Sequence, residues 1–150
     1  MAKSGVTNYN TNLASEYLIM SLLSRVGKDA YLSLGNKKGV DIIVRTDLGA
    51  ICVLEVKGVN KRNDWLICNS GKFPVEDSLF FALVCFNGKI EDPNAPADFW
   101  LIPSIKLSEL MEHKIAGNQK TVYISNAHIK KNYEDYRNTF KYLNEYLGQN

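Results

Sequence analysis

The stretch from Gly39 to Gly58, GVDIIVRTDLGAICVLEVKG, holds two runs of β-formers, Ile42-Ile43-Val44 and Ile51-Cys52-Val53-Leu54. Between them, Arg45-Thr46-Asp47-Leu48-Gly49-Ala50 supplies turn chemistry, so the segment reads as an antiparallel hairpin. A turn centred near Leu48 places Asp41 about opposite Glu55. Glu55 and Lys57 are two apart on one strand and leave the same face. The strands are almost continuously apolar, as expected when both faces of a sheet are covered. Charges at one end of such a hairpin are costly unless they pair with each other or with a metal. Two carboxylates and a lysine are also the groups that metal-assisted phosphodiester hydrolysis uses. The plainer alternative is a pairing of the acids with Lys57 on a solvated strand end.

Upstream, Thr11 or Asn12 can cap a helix that runs to about Val26 and stops at Gly27. Leu13, Ala14, Tyr17, Leu18, Ile19, Met20, Leu22 and Leu23 give it a wide apolar face. Glu16 falls inside that face, and a carboxylate on the core side of a helix needs a partner: a buried basic residue, or the hairpin acids and their ion.

The rest of the chain alternates strands and helices. Ala30–Leu34 reads as a first strand, followed by a Gly35–Gly39 loop carrying Lys37 and Lys38. Trp65–Cys68 is a short candidate strand, Leu79–Phe86 a buried one, and Asp98–Pro103 one ended by its proline. Ser104 to about His113 reads as a helix with Leu107, Leu110 and Met111 on its apolar side, and Thr121–Ile124 as an edge strand. Ile129, Tyr133, Tyr136, Phe140, Leu143 and Leu147, in steps of three and four, predict an amphipathic C-terminal helix packed on the sheet or on a second subunit. The class is α/β (α+β), a mixed sheet flanked by helices. The expected organisation is a single domain over 1–150, with a core at about 12–104 and a C-terminal helical segment at about 104–150.

With 150 residues, 45% hydrophobic and 23% charged, the chain has the profile of a globular protein able to bury one core. A net charge of +2 gives no bulk field towards an anionic partner, so local clusters must meet one. Candidates are Lys37-Lys38 before the hairpin, Lys57 with Lys61-Arg62 after it, and Lys130-Lys131. Of the three cysteines, Cys52 and Cys85 lie in apolar runs and read as core residues of a reducing compartment. The two histidines, His113 and His128, are far apart. With no signal peptide and no span of membrane length, a cytoplasmic location is expected.

Asp41 at the head of one strand, Glu55-Val56-Lys57 on the next, and Glu16 on the preceding helix together resemble the PD-(D/E)xK nuclease superfamily. That superfamily includes restriction endonucleases, Holliday-junction resolvases and small homing endonucleases. The resemblance covers roughly Asn12 to Ser104, and Phe99-Trp100-Leu101-Ile102-Pro103 looks like the aromatic-aliphatic-proline strand of its small members. Val40 stands where the signature proline would be, and the chain carries no convincing Gln-x-x-x-Tyr motif of the exonuclease branch.

The resemblance implies a restriction-endonuclease-like fold, with an N-terminal helix and then the hairpin that carries the active site. It further implies a metal-dependent DNA endonuclease that leaves 5′-phosphate ends. Asp41 and Glu55 would hold Mg²⁺, with Mn²⁺ as a substitute, and the Val56 carbonyl would be a third ligand. Glu16 would bind a second ion or hold a water on the first. Lys57 would orient the attacking water, act as base, or neutralise the transition state, and the residues leave these roles open. Lys37, Lys38, Lys61 and Arg62 flank the hairpin as nucleic-acid contacts. The expected partners are double-stranded or branched DNA and a second copy of the chain. The competing expectation is a catalytically silent module of the same fold that binds nucleic acid or protein.

Overall fold

A computed structural model of the chain describes residues 6–34, 39–68, 73–112 and 121–149. Helix α1 (Asn8–Arg25) opens at Thr7, whose extended backbone lets its hydroxyl accept the Asn10 N–H. The expected cap at Thr11 or Asn12 is therefore about a turn late, because Thr7 already supplies the side-chain oxygen. The far end is as expected, with Val26 as the cap residue and Gly27 at φ +74 turning the chain out of the helix.

Five strands form the main sheet in the order β1 (Asp29–Leu32), β2 (Ile42–Arg45), β3 (Ile51–Val59), β5 (Leu79–Cys85), β6 (Asp98–Pro103). Only the β3–β5 pair is parallel, so the sheet is mixed. The hairpin register pairs Ile42 with Leu54 and Arg45 with Ile51, centring the turn on Leu48 as the sequence predicts. The two remaining strands, β4 (Trp65–Cys68) and β7 (Val122–Ile124), pair with each other in a separate small sheet. Thr121–Ile124 therefore does not edge the main sheet.

Alternation along β3, β5 and β6 splits the core into two layers. Leu54, Val56, Phe80, Ala82, Val84 and Leu101 pack with Ile19 and Leu23 of α1 and with Leu143 and Leu147 of α4 (Lys141–Leu147). On the other face Phe81, Leu83, Trp100 and Ile102 meet Trp65 of β4, Ile124 of β7, Leu107 of α2 (Ser104–Glu112) and Ile129 of α3 (Asn126–Asn132). Leu110 packs at the edge of this layer, while the Met111 side chain lies outside the described residues. Trp65 and Trp100 meet edge to face at 5.9 Å, and Trp65 Nε1 donates to the Val84 carbonyl, so both indoles are core groups.

The predicted single C-terminal helix is instead broken. After α3 come a 3₁₀ turn at Glu134–Tyr136 and an extended Arg137 that bridges Trp100. Asn138, at φ +52, then exchanges two hydrogen bonds with the Phe99 backbone. The apolar spacing is real, but its two halves serve opposite faces of the sheet: Ile129 and Tyr133 one, Leu143 and Leu147 the other.

On α1 the buried row is Thr11, Ser15, Ile19 and Leu23, while Leu13 and Tyr17, expected inside, are exposed. The helix sits too close to β3 for large side chains at that point. No described helix is long and apolar enough to cross a membrane.

Candidate active site

Asp41 stands just before β2, and there the regular ladder gives way. Its backbone still pairs, the N–H with the Leu54 carbonyl and the carbonyl with the Ser33 N–H. Its carboxylate Oδ2 then accepts the Val56 N–H at 2.7 Å. A side chain thus takes over a strand bond where β2 has run out. The Val56 carbonyl leaves the strand on the same side as its N–H, towards Asp41, and the Val56 side chain is buried beneath.

Glu55 is 7% exposed, and its Oε1 meets Lys57 Nζ at 2.7 Å. The second oxygen, Oε2, faces Gly39, where a Cβ would stand 3.6 Å away. Glu16 reaches the same region from α1. Burial raises its pKa first, the nearby Asp41 charge raises it further, and Lys57 opposes both. Burial likewise raises the pKa of Asp41, against the pull of the Val56 N–H and the Lys57 ammonium. Three carboxylates thus gather around one ammonium, a local excess of negative charge.

Among the described residues no group of three or more His, Cys, Asp or Glu side chains is close enough to hold one ion. The groups that could hold an ion are instead two carboxylates and a main-chain carbonyl, with Glu16 alongside. Hard oxygens in that number fit Mg²⁺, which keeps several waters and binds through one or two carboxylates.

What brings Glu16 here is Gly58. A Cβ on Gly58 would lie 1.9 Å from Ser15 Oγ and 3.0 Å from the Thr11 carbonyl, so α1 can lie on β3 only because that atom is missing. Ser15 turns its hydroxyl back to the Thr11 carbonyl at 2.7 Å and is fully buried. The sequence reading singles out neither Ser15 nor Gly58, and Thr11 only as a helix cap. The signal was a pair of small polar residues four apart leading into Ile19 and Leu23, with a glycine directly after the Glu-Val-Lys triplet.

A cleft of about 520 Å³ opens at Lys57 and Gly58 and extends past Asn60 and Asn63 towards Tyr123. Asn8 and Asn12 line its α1 wall, and spacing of four puts Glu16 next in that row. The cleft thus reaches the site at Lys57, while Glu16, Asp41 and Glu55 are not among its described lining residues. Lys61 and Arg62 are exposed and belong to a separate pocket rather than to the acids. Lys37, Lys38 and His113 lie outside the described residues.

No protein-family model and no curated protein matches the chain. Among solved structures it is similar to a bacterial homing endonuclease, I-Ssp6803I, at a TM-score of 0.44 and 12% identity, covering 81% of this chain and 77% of that one. A likeness at that level decides neither fold nor activity.

Proposed function

We propose that the chain is a metal-dependent endonuclease that hydrolyses phosphodiester bonds in DNA, a member of the PD-(D/E)xK group. The observation that carries this reading is the convergence of Asp41, Glu55 and Lys57 at the β2–β3 end, with Glu16 drawn in by α1. Asp41, Glu55 and the Val56 carbonyl would hold Mg²⁺, with Mn²⁺ as a substitute. A divalent ion there supplies positive charge against the phosphoryl oxygens and makes water more acidic.

The chain's own groups do the positioning. Lys57 stands at the cleft mouth with its ammonium on Glu55, where it can turn to a phosphoryl oxygen or to an attacking water. Glu16, whose proton is held more tightly than usual, can orient that water or exchange a proton with it. The Val56 N–H fixes the Asp41 carboxylate, so its free oxygen keeps one direction. Lys61 and Arg62 lie beyond the end of β3 as contacts to the nucleic-acid backbone. A homodimer is part of the proposal, since one such centre cuts one strand. Leu143 and Leu147 are buried within the chain and would not form its interface.

A second reading is favoured by one observation. Glu55 is already satisfied by Lys57 and Asp41 by Val56, so the site closes on itself as it would in a module that binds without cutting. Nicking of supercoiled plasmid separates the two. The endonuclease reading expects Mg²⁺-dependent nicking that falls at least about 10²-fold in Glu55→Gln and in Lys57→Met. Binding that survives both substitutions, with no product under Mg²⁺ or Mn²⁺, supports the silent module instead.

A further inference from the structure

Lys61 and Arg62 do not end in an open loop. They form one wall of a pocket of about 470 Å³ whose other lining residues are Asn87, Gly88 and Lys130. Lys130 arrives from α3, remote in sequence, so a third positive charge joins a pair that sequence placed together. Among the described residues no carboxylate lines this pocket. Asp98 and Glu134 line an adjoining pocket that shares Asn87 and Lys130 with this one, and both acids pair with Arg137, at 3.1 and 3.2 Å.

The walls are fixed by bonds that leave the cations uncompensated. The Cys85 thiol donates to the Lys61 carbonyl at 3.1 Å, and the Gly88 N–H donates to the Asn60 carbonyl. Asn87 and Gly88 both sit at positive φ, +55 and +79, which turns this corner back against the 60–62 segment. The Asn87 amide is oriented by its N–H on Asp98 Oδ2 at 3.0 Å, which leaves its oxygen for Lys130 Nζ at 3.2 Å. Among the described residues Lys130 is thus held by a neutral oxygen, and neither Lys61 nor Arg62 has an ion-pair partner.

The geometry points to a binding pocket for a backbone phosphate of DNA, formed by Lys61, Arg62 and Lys130 and separate from the reacting centre. This rests on the endonuclease reading for its choice of DNA as the ligand. Three cations lining one pocket suit a phosphodiester group, with Arg62 able to present a planar fork to two of its oxygens. At about 3.3 Å per residue, Lys61 stands no more than about 13 Å beyond Lys57. That is about four phosphate steps along a duplex axis, a reach at which one strand can touch both places. Such a contact carries no sequence information. It sets the register of the strand on β3 so that a scissile phosphate falls at Lys57.

The test is fluorescence anisotropy of a labelled duplex, with Ca²⁺ in place of Mg²⁺, across a range of salt concentrations. In Lys130→Gln and in Arg62→Gln the slope of log affinity on log salt should shrink by about one, equally for duplexes of unrelated sequence. Lys141→Gln, an exposed cation on α4 over the other face of the sheet, should keep the wild-type slope. Arg62 is exposed and Lys130 partly so, and circular dichroism of each variant should match the wild type. Unchanged slopes in both pocket variants overturn the inference while plasmid nicking stands. Absence of duplex binding by the wild-type chain overturns it as well. Slopes that shrink as expected in a chain that never nicks plasmid remove the hydrolase reading and leave the pocket.

Discussion

Glu16 and Asp41 are acids whose folded environment favours the protonated form, chiefly because burial penalises the charge. For an acid raised in this way the sign is definite: ionisation costs more in the folded chain than in the unfolded one. The resulting destabilisation is absent below the unfolded pKa and grows as pH rises through the folded one. Asp41→Asn is therefore expected to melt a few degrees higher than the wild type at neutral pH, with the gap closing as the pH falls into the acid range. Thermal denaturation at a series of pH values reads this directly, and a gap that does not change with pH would contradict it. The same substitution should abolish nicking, because the stability given up at Asp41 is tied to a charge the site uses. Cys52 differs from these acids: burial pushes its thiol up to about 12, so it should resist alkylation in the native chain. Cys68, half-buried at the cleft wall, should label first, as mass mapping after brief iodoacetamide treatment would show.

At the level of elements, the close approach of α1 to β3 decides whether Glu16 belongs to the site. Gly58→Ala would set a methyl group against Ser15 and the Thr11 carbonyl, so the helix must shift or the strand must bend. Overpacking of this kind costs about 1–3 kcal/mol, measurable as a lower midpoint in urea. Nicking should fall further than stability alone explains, because Glu16 moves with α1. Ser15→Gly in the Gly58→Ala background removes the nearest clashing atoms and should recover part of both losses, a coupling absent from the single variants. Nothing in the hydrophobic pattern announces this contact. A search for apolar residues at helical spacing favours Leu13 and Tyr17, whereas the helix buries Thr11 and Ser15 against a glycine. Helix α4 was obscured for a related reason: periodicity reports that Leu143 and Leu147 are buried, but not which side of the sheet buries them.

Across the whole molecule, the local pairings that short-range chemistry dictates were legible. The Asp47–Gly49 turn and the β2–β3 register followed from alternation and turn residues. Strand partners distant in sequence did not. The β4–β7 sheet joins segments whose pairing depends on what remains uncovered beside Phe81, Leu83 and Trp100, and no local signal encodes that. The Lys61–Arg62–Lys130 grouping is invisible for the same reason. Gathering Glu16, Asp41 and Glu55 around one ammonium leaves the folded chain with negative charge that a cation would relieve. Mg²⁺ should accordingly raise the melting temperature of the wild type, in proportion to the logarithm of its concentration above saturation, and leave Glu55→Gln unmoved. The most direct measurement is a Mn²⁺ titration followed by the paramagnetic resonance signal of the free ion. Saturable uptake by the wild type that disappears in Asp41→Asn and in Glu55→Gln is the predicted result; equal uptake by all three chains, or none by any, would contradict it.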